Sequence, residues 1–178
     1  MTRLAQHITT SGIVEMDHAE EPDSQVWDVR EDGQLPAMTF RRQEDVVGWS
    51  RHILGGSFGT GDAIVESVAV IAGANGAGQT HDSSNRDEVW VQIKRTINSA
   101  TVRYIEMFER DHEAPHEADD ATYSDSCITY DGTAATIITG LDHLEGQTVK
   151  VWANAAVQSD KVVSSGNITL DNAASKVQ

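Results

Sequence analysis

The sequence predicts an all-β protein, and three observations carry that prediction. Short runs rich in β-branched and aromatic residues alternate between apolar and polar, as in Val89-Trp-Val-Gln-Ile-Lys and Thr101-Val-Arg-Tyr-Ile-Glu. Turn-forming pairs separate such runs: Asp32-Gly33, Asn75-Gly76, Asn98-Ser99 and Asp131-Gly132. The one stretch with helical flavour, Arg42-Gln-Glu-Asp-Val-Val, is short and uncapped.

Along the chain, the first strands are Ile13-Val-Glu, then Val26-Trp27-Asp-Val29-Arg30 after a polar insert, then Leu35 to Phe40 after a turn. The order repeats faintly with Ile64-Val-Glu, a longer Gly-rich insert, Val89 to Lys94, a turn, and Val102 to Met107. Val46-Val-Gly-Trp49-Ser-Arg-His52 lies between the two and is read as the strand opening the second unit. Four antiparallel strands per unit is the pattern of a β-propeller blade. Two blades cannot close a ring, so residues 1–110 read as an incomplete propeller, a section of something larger.

Residues 111–122, with Asp111-His-Glu-Ala-Pro-His-Glu-Ala-Asp-Asp120 at their centre, are polar and acidic and read as a linker. A small barrel- or sandwich-like β module is expected over residues 123–178. Its strands are Cys127 to Tyr130, Ala135 to Ile138, Thr148 to Trp152 and Ile168 to Leu170, with Asp131-Gly132 as its first hairpin turn. Asn172 to Gln178 reads as a tail that ends without a closing strand.

With 178 residues the chain can bury roughly two-thirds of its unfolded surface. Hydrophobic residues make up 39%, too many for a disordered acidic tail. Asp and Glu number 28 against 13 Lys and Arg, a net charge of -15. That balance opposes a grip on nucleic acid, which needs cations to displace phosphate counterions, and opposes docking on an anionic membrane. A single cysteine, Cys127, excludes an internal disulfide and a cysteine-based zinc cluster. No run reaches the ~18 apolar residues of a membrane span, and the amino terminus lacks the apolar stretch of a secretory signal. The expectation is a chain made and kept in a cytoplasm until it is assembled.

His112-Glu-Ala-Pro-His116 matches the H-E-x-x-H zinc-protease expression, which needs both His on one helical face with Glu activating water. Pro115 would stand inside that helix at a cost of ~3 kcal/mol, so a solvated linker is the better reading of His112 and His116. The Gly-rich stretches Gly55 to Gly61 and Gly73 to Gly78 lack the Gly-Lys-Ser/Thr ending of a phosphate loop and read as flexible strand connections. The acidic clusters Asp17 to Asp23 and Asp119-Asp120 lack the Gly-anchored spacing of a calcium loop and read as solvated turns. Trp27, Trp49, Trp90 and Trp152 fall within expected strands, where packing explains them better than sugar stacking. No nucleophile elbow or other triad signature is present. The reading is of a protein that is not an enzyme, with no catalytic, cofactor-binding or metal-binding residues and no cofactor.

Several ordered strings together resemble the tail nozzle proteins of short-tailed bacteriophages, the tail tubular protein B family. They are Ser11-Gly-Ile-Val-Glu-Met-Asp, Glu21-Pro-Asp-Ser24, Val26-Trp27, Val29 to Leu35, Gln43 to His52, Val65 to Ile71 and Asp87-Glu-Val-Trp90. The densest match is Lys94-Arg-Thr-Ile-Asn98 with Thr101 to Glu106, and Gly140 to Val149 and Gly166 to Asp171 follow. The chain resembles only part of the family, whose members are longer on both sides. It departs at Asn154-Ala155-Ala156, where a tighter glycine turn is usual, and in the insert after Ile71. The resemblance implies a virion structural protein with propeller-type blades and added β modules, made in the host cytoplasm and located in the phage tail. Implied partners are copies of itself in a ring, expected to be a hexamer, and other tail proteins such as the adaptor and fibres. DNA would pass through the lumen during ejection without specific binding, helped by like charge; no membrane insertion is implied. The alternative is a virion-surface module contacting a host glycan or receptor.

Overall fold

A computed structural model describes residues 5–72, 87–109, 122 and 124–178. The protein is all-β, built from antiparallel sheets, with a 3-10 turn at Asp142–Leu144. The chain divides into two compact units. The first comprises Met1–Ile53, Ala63–Lys94 and Arg103–Phe108; the second comprises Leu54–Asp62, Arg95–Val102 and Glu109–Gln178.

In the first unit, β1 (Ile13–Ala19), β2 (Gln25–Arg30), β3 (Leu35–Arg41) and β4 (Val46–His52) form a four-stranded sheet in the order β1-β2-β3-β4. Val46–His52 therefore closes the first sheet instead of opening the second. Its register runs from Leu35 opposite His52 to Arg41 opposite Val46. Arg42 to Asp45 of the segment with helical flavour make the turn of this hairpin, with Asp45 at φ +55°, and its Val46-Val47 begin β4. Gly33, at φ +81°, makes the turn from β2 to β3, as the Asp32-Gly33 pair predicts.

After the short hairpin of β5 (Ser57–Phe58) and β6 (Gly61–Asp62), strands β7 (Ile64–Ile71), β8 (Glu88–Ile97) and β9 (Ala100–Met107) form a three-stranded sheet. Asn98 and Ser99, both at positive φ, make the β8–β9 turn.

Within the first unit β7, an edge strand of the three-stranded sheet, lies against β1 and β2. The Ser67 hydroxyl donates to the Glu15 carboxylate at 3.1 Å, and the Val70 amide donates to Asp17 at 2.7 Å. The Val65 amide donates to the Gly33 carbonyl at 2.9 Å. Trp27, Val29, Val65, Val68, Val91 and Ile93 are buried there, and Trp27 meets the rings of His52 and Phe108 at 5.0 and 4.6 Å. Alternation puts these residues on inner faces and their sequence neighbours on outer ones.

In the second unit, β10 (Tyr130–Thr139), β11 (Thr148–Ala153), β12 (Ala156–Val162) and β13 (Asn167–Val177) pair in the order β10-β13-β11-β12. Two expectations are corrected here. Asp131-Gly132 is no hairpin turn: both residues lie inside β10, and register shifts on either side of Ala135 absorb the irregularity. Asn172 to Val177 is not a trailing tail but the second half of β13. It buries Ala174 and Val177 and pairs with β10, while Gln178 exchanges two backbone hydrogen bonds with Trp152. A bulged strand loses its period of two, which hid this one from pattern reading.

β12, also unforeseen, returns through Asn154 and Ala155 at φ +48° and +60°. Its Gln158 side chain accepts from the Asp171 and Asn172 amides and donates to the Asn172 carbonyl, standing in for a ladder rung. Ile138, Leu144, Val151, Val163, Ile168 and Leu170 form the core of this unit.

Candidate functional site

Several of the residues singled out by sequence fall outside the part of the chain that the structure describes. His112, Glu113, Pro115 and His116, the glycines 73–78 and Asp119-Asp120 lie outside the described residues. Among the described residues no group of three or more His, Cys, Asp or Glu could hold a metal ion. Within the first acidic cluster, Asp17 accepts from the His18 and Val70 amides, Asp23 pairs with Arg41, and the His18 ring meets Ser24. Asp17 thus ties β1 to β7, and Asp23 holds the end of β3.

Gly55 to Gly61, expected to be a flexible connection, forms the β5–β6 hairpin around a buried arginine of the second unit. Arg95, fully buried, donates from Nε to the Gly55 carbonyl at 2.7 Å and from Nη2 to the Ser126 hydroxyl at 2.9 Å. The Gly55 amide reaches the Asp125 carbonyl and Ser126 Oγ, and the Gly59 amide reaches Thr96. A Cβ on Gly56 would lie 2.7 Å from Arg95, so glycine there lets the backbone close over the guanidinium. The second unit also holds a cleft of about 690 Å³ against Ile128, Leu144, Gln147, Val151 and Trp152.

The outer faces of the first unit are its most distinctive surfaces. On the four-stranded sheet, Val14, Met16, Phe40 and Val47 are 42% to 62% exposed, beside half-buried Met38 and Trp49. Asp28 lies on this face, opposite Met16 on β1, and is itself buried; its Oδ1 has no hydrogen-bond partner among the described residues. Burial raises its pKa above the ordinary carboxylate range.

On the three-stranded sheet, Ile71, Ile105 and Met107 are 43% to 73% exposed, beside Ala69 and half-buried Trp90. An ionic network borders that patch. Glu66 accepts from Arg103 Nε at 2.6 Å and from Gln92 at 3.0 Å, and Lys94 stands 3.1 Å away. Hydrogen bonds from Arg103, then Gln92 and Lys94, outweigh burial and hold the Glu66 pKa down at about 2. Sequence reading placed the tryptophans on strands. It missed the outer apolar faces, although exposed apolar residues alternating with buried ones over several paired strands are the signal for them.

Compared by sequence, the chain matches no protein-family model and no curated protein. Among the described residues no helix is long and apolar enough to cross a membrane.

Proposed function

We propose that this protein is a structural component of a bacteriophage virion, a section of the tail nozzle through which DNA is ejected, and that it works by assembling with copies of itself. The observation that carries the reading is the first unit: two successive antiparallel sheets, the four-stranded one with Val14, Met16, Phe40 and Val47 exposed and the three-stranded one with Ile71, Ile105 and Met107 exposed among the described residues. Blade-like sheets bury such side chains against neighbours. The ordered strings from Ser11 to Glu106 that resemble nozzle proteins cover the same sheets. The net charge of -15 suits a conduit wall past which DNA slides without being held. Light scattering of the purified chain across concentration and salt tests the assembly. A discrete ring-sized mass is expected, and a monomer under every condition overturns it. Retention of the chain on duplex DNA at low salt would overturn the conduit role.

A second reading, a surface module that takes a host glycan or receptor, draws on the cleft of the second unit, where Trp152 offers a stacking ring and Gln147 polar atoms. Glycan-array binding lost in Trp152→Ala would favour it.

A further inference from the structure

We propose that residues 5–12 form a strap across the outer face of β2 and β3, closed while Asp28 holds a proton and loosened when Asp28 loses it. The device lies within the first unit and is independent of assembly.

Alternation along β2 puts Val26, Asp28 and Arg30 on the outer face, and Pro36 and Met38 share that face on β3. Val14, Met16 and Phe40 on the same sheet are exposed, yet Asp28, Arg30 and Pro36 are buried, Asp28 to 1%. The chain just before β1 accounts for the difference. Its Ala5 and Ile8 are buried, and it is fastened to the end of β2 at three points. The Ile8 carbonyl accepts from Arg30 Nη1 at 2.7 Å, Ser11 Oγ accepts from Arg30 Nε at 2.9 Å, and the Gly12 carbonyl accepts from the Glu31 amide at 3.0 Å. Arg30 also reaches Gln34 and Asp32, so its donors are spent on the strap and the turn.

Asp28 stands beside this clasp without using it: its Oδ1 has no hydrogen-bond partner among the described residues. The other titratable or charged groups on this side are His18 on β1, Arg51 on β4 opposite Pro36, His7 in the strap, and Glu31 and Asp32 in the turn; none of them donates to that oxygen. A buried carboxylate without donors is costly as an ion, so burial favours the neutral acid and raises the Asp28 pKa above its ordinary 3.8. The charged form is relieved in two ways only. Water enters beneath the strap, or Arg30, two residues along the same face, leaves Ile8 and Ser11 for Asp28. Either route loosens residues 5–12. Loosening therefore releases a proton: the strap is tightest below about pH 3.8, where a solvated Asp28 would also be protonated. As pH rises from there toward the raised pKa of the closed form, the opening constant grows by up to about tenfold per pH unit, then levels off.

Amide hydrogen exchange of the full chain, read by peptide mass from roughly pH 3 to 7 and corrected for the intrinsic rate at each pH, tests the device. In the parent, corrected exchange of residues 5–12 is expected to be slowest at the acid end and to rise with pH, while Val89 to Ile93 of β8 stay protected throughout. A flat profile over 5–12 overturns the proposal, and so does a rise that β8 shares, which would be opening of the whole unit. Asp28→Asn keeps the shape and cannot ionise, so its strap is expected to hold the parent's acid-end protection at every pH. A rise in that variant equal to the parent's would assign the titration to His7 or His18 and overturn the role of Asp28. Should Asp28→Asn fail to fold, the parent profile still decides. Ser11→Ala removes one tie to Arg30 and is expected to speed exchange of the strap by about fivefold at every pH; no change there overturns Arg30 as the clasp.

Discussion

Replacing Gly33 with alanine attacks the first unit at one point where two constraints meet. Gly33 sits at φ +81°, a conformation that an L side chain adopts at a cost of roughly 1–2 kcal/mol. A Cβ there would lie 2.5 Å from Ile64 Cγ2, 2.9 Å from Cδ1 and 3.1 Å from Cβ. Ile64 cannot swing clear, because a β-branched side chain is stiff at χ1 and two of these atoms lie at or next to its Cβ. Nor can the turn recede: the Gly33 amide donates to the Arg30 carbonyl and its carbonyl accepts from Val65, which ties it to β7. Overpacking of this kind costs about 1–3 kcal/mol, so Gly33→Ala is expected to destabilise the first unit by roughly 2–5 kcal/mol in all. Gly146→Ala is the control, with a similar φ of +78° and open space around the Cβ; it carries the backbone part alone. Urea unfolding, followed by near-UV circular dichroism of Trp27, Trp49 and Trp90 in the first unit and Trp152 in the second, separates the responses. A Gly33→Ala loss within about 0.5 kcal/mol of the Gly146→Ala loss would refute the clash with Ile64.

Three further outcomes follow from the geometry. Ala155→Gly is expected to stabilise the second unit by about 0.5–1 kcal/mol, measured by thermal melting, because Ala155 is held at φ +60° in the β11–β12 turn; a lower melting temperature would refute it. Arg95→Leu removes the donors to Gly55 and Ser126 from a fully buried site and is expected to destabilise the same unit by about 2–4 kcal/mol, read by urea unfolding. Glu66 has a folded pKa lowered from 4.5 to about 2, so its network contributes stability that is complete above pH 4.5 and is lost as pH falls toward 2. In melts from pH 6 to 2, the gap between the parent and Arg103→Met is therefore expected to narrow as pH falls; a constant gap would remove Glu66 as its cause.

Most strands of the first unit were legible from their composition and from the turns between them. β8 and β9 alternate cleanly, β2, β3 and β7 are rich in β-branched, aromatic and other apolar residues, and Gly33 and the Asn98-Ser99 pair stand at positive φ in their turns. Assigning Val46–His52 to one sheet or the other was beyond pattern reading, since the choice depends on which edge hydrogen-bonds with it. In the second unit, bulges beside Ala135 break the period of β10 and β13, and Gln158 replaces a rung of backbone pairing with side-chain bonds. The Arg95 site was hidden for another reason: a lone arginine in an alternating strand reads as solvent-facing until distant Gly55 and Ser126 close around it.

By itself, then, the sequence determined that this protein is all-β, where most strands of the first unit lie, and that acidic charge dominates its surface chemistry. Those properties follow from local backbone preference, side-chain alternation and composition, which need no knowledge of distant neighbours. Tertiary structure decided which strands share a sheet, how Asn172 to Val177 is used, what surrounds Arg95, and which apolar side chains of the described strands are exposed. Each of these is settled by pairing between segments far apart in the chain, where hydrogen-bond register and burial, and not local propensity, select the outcome.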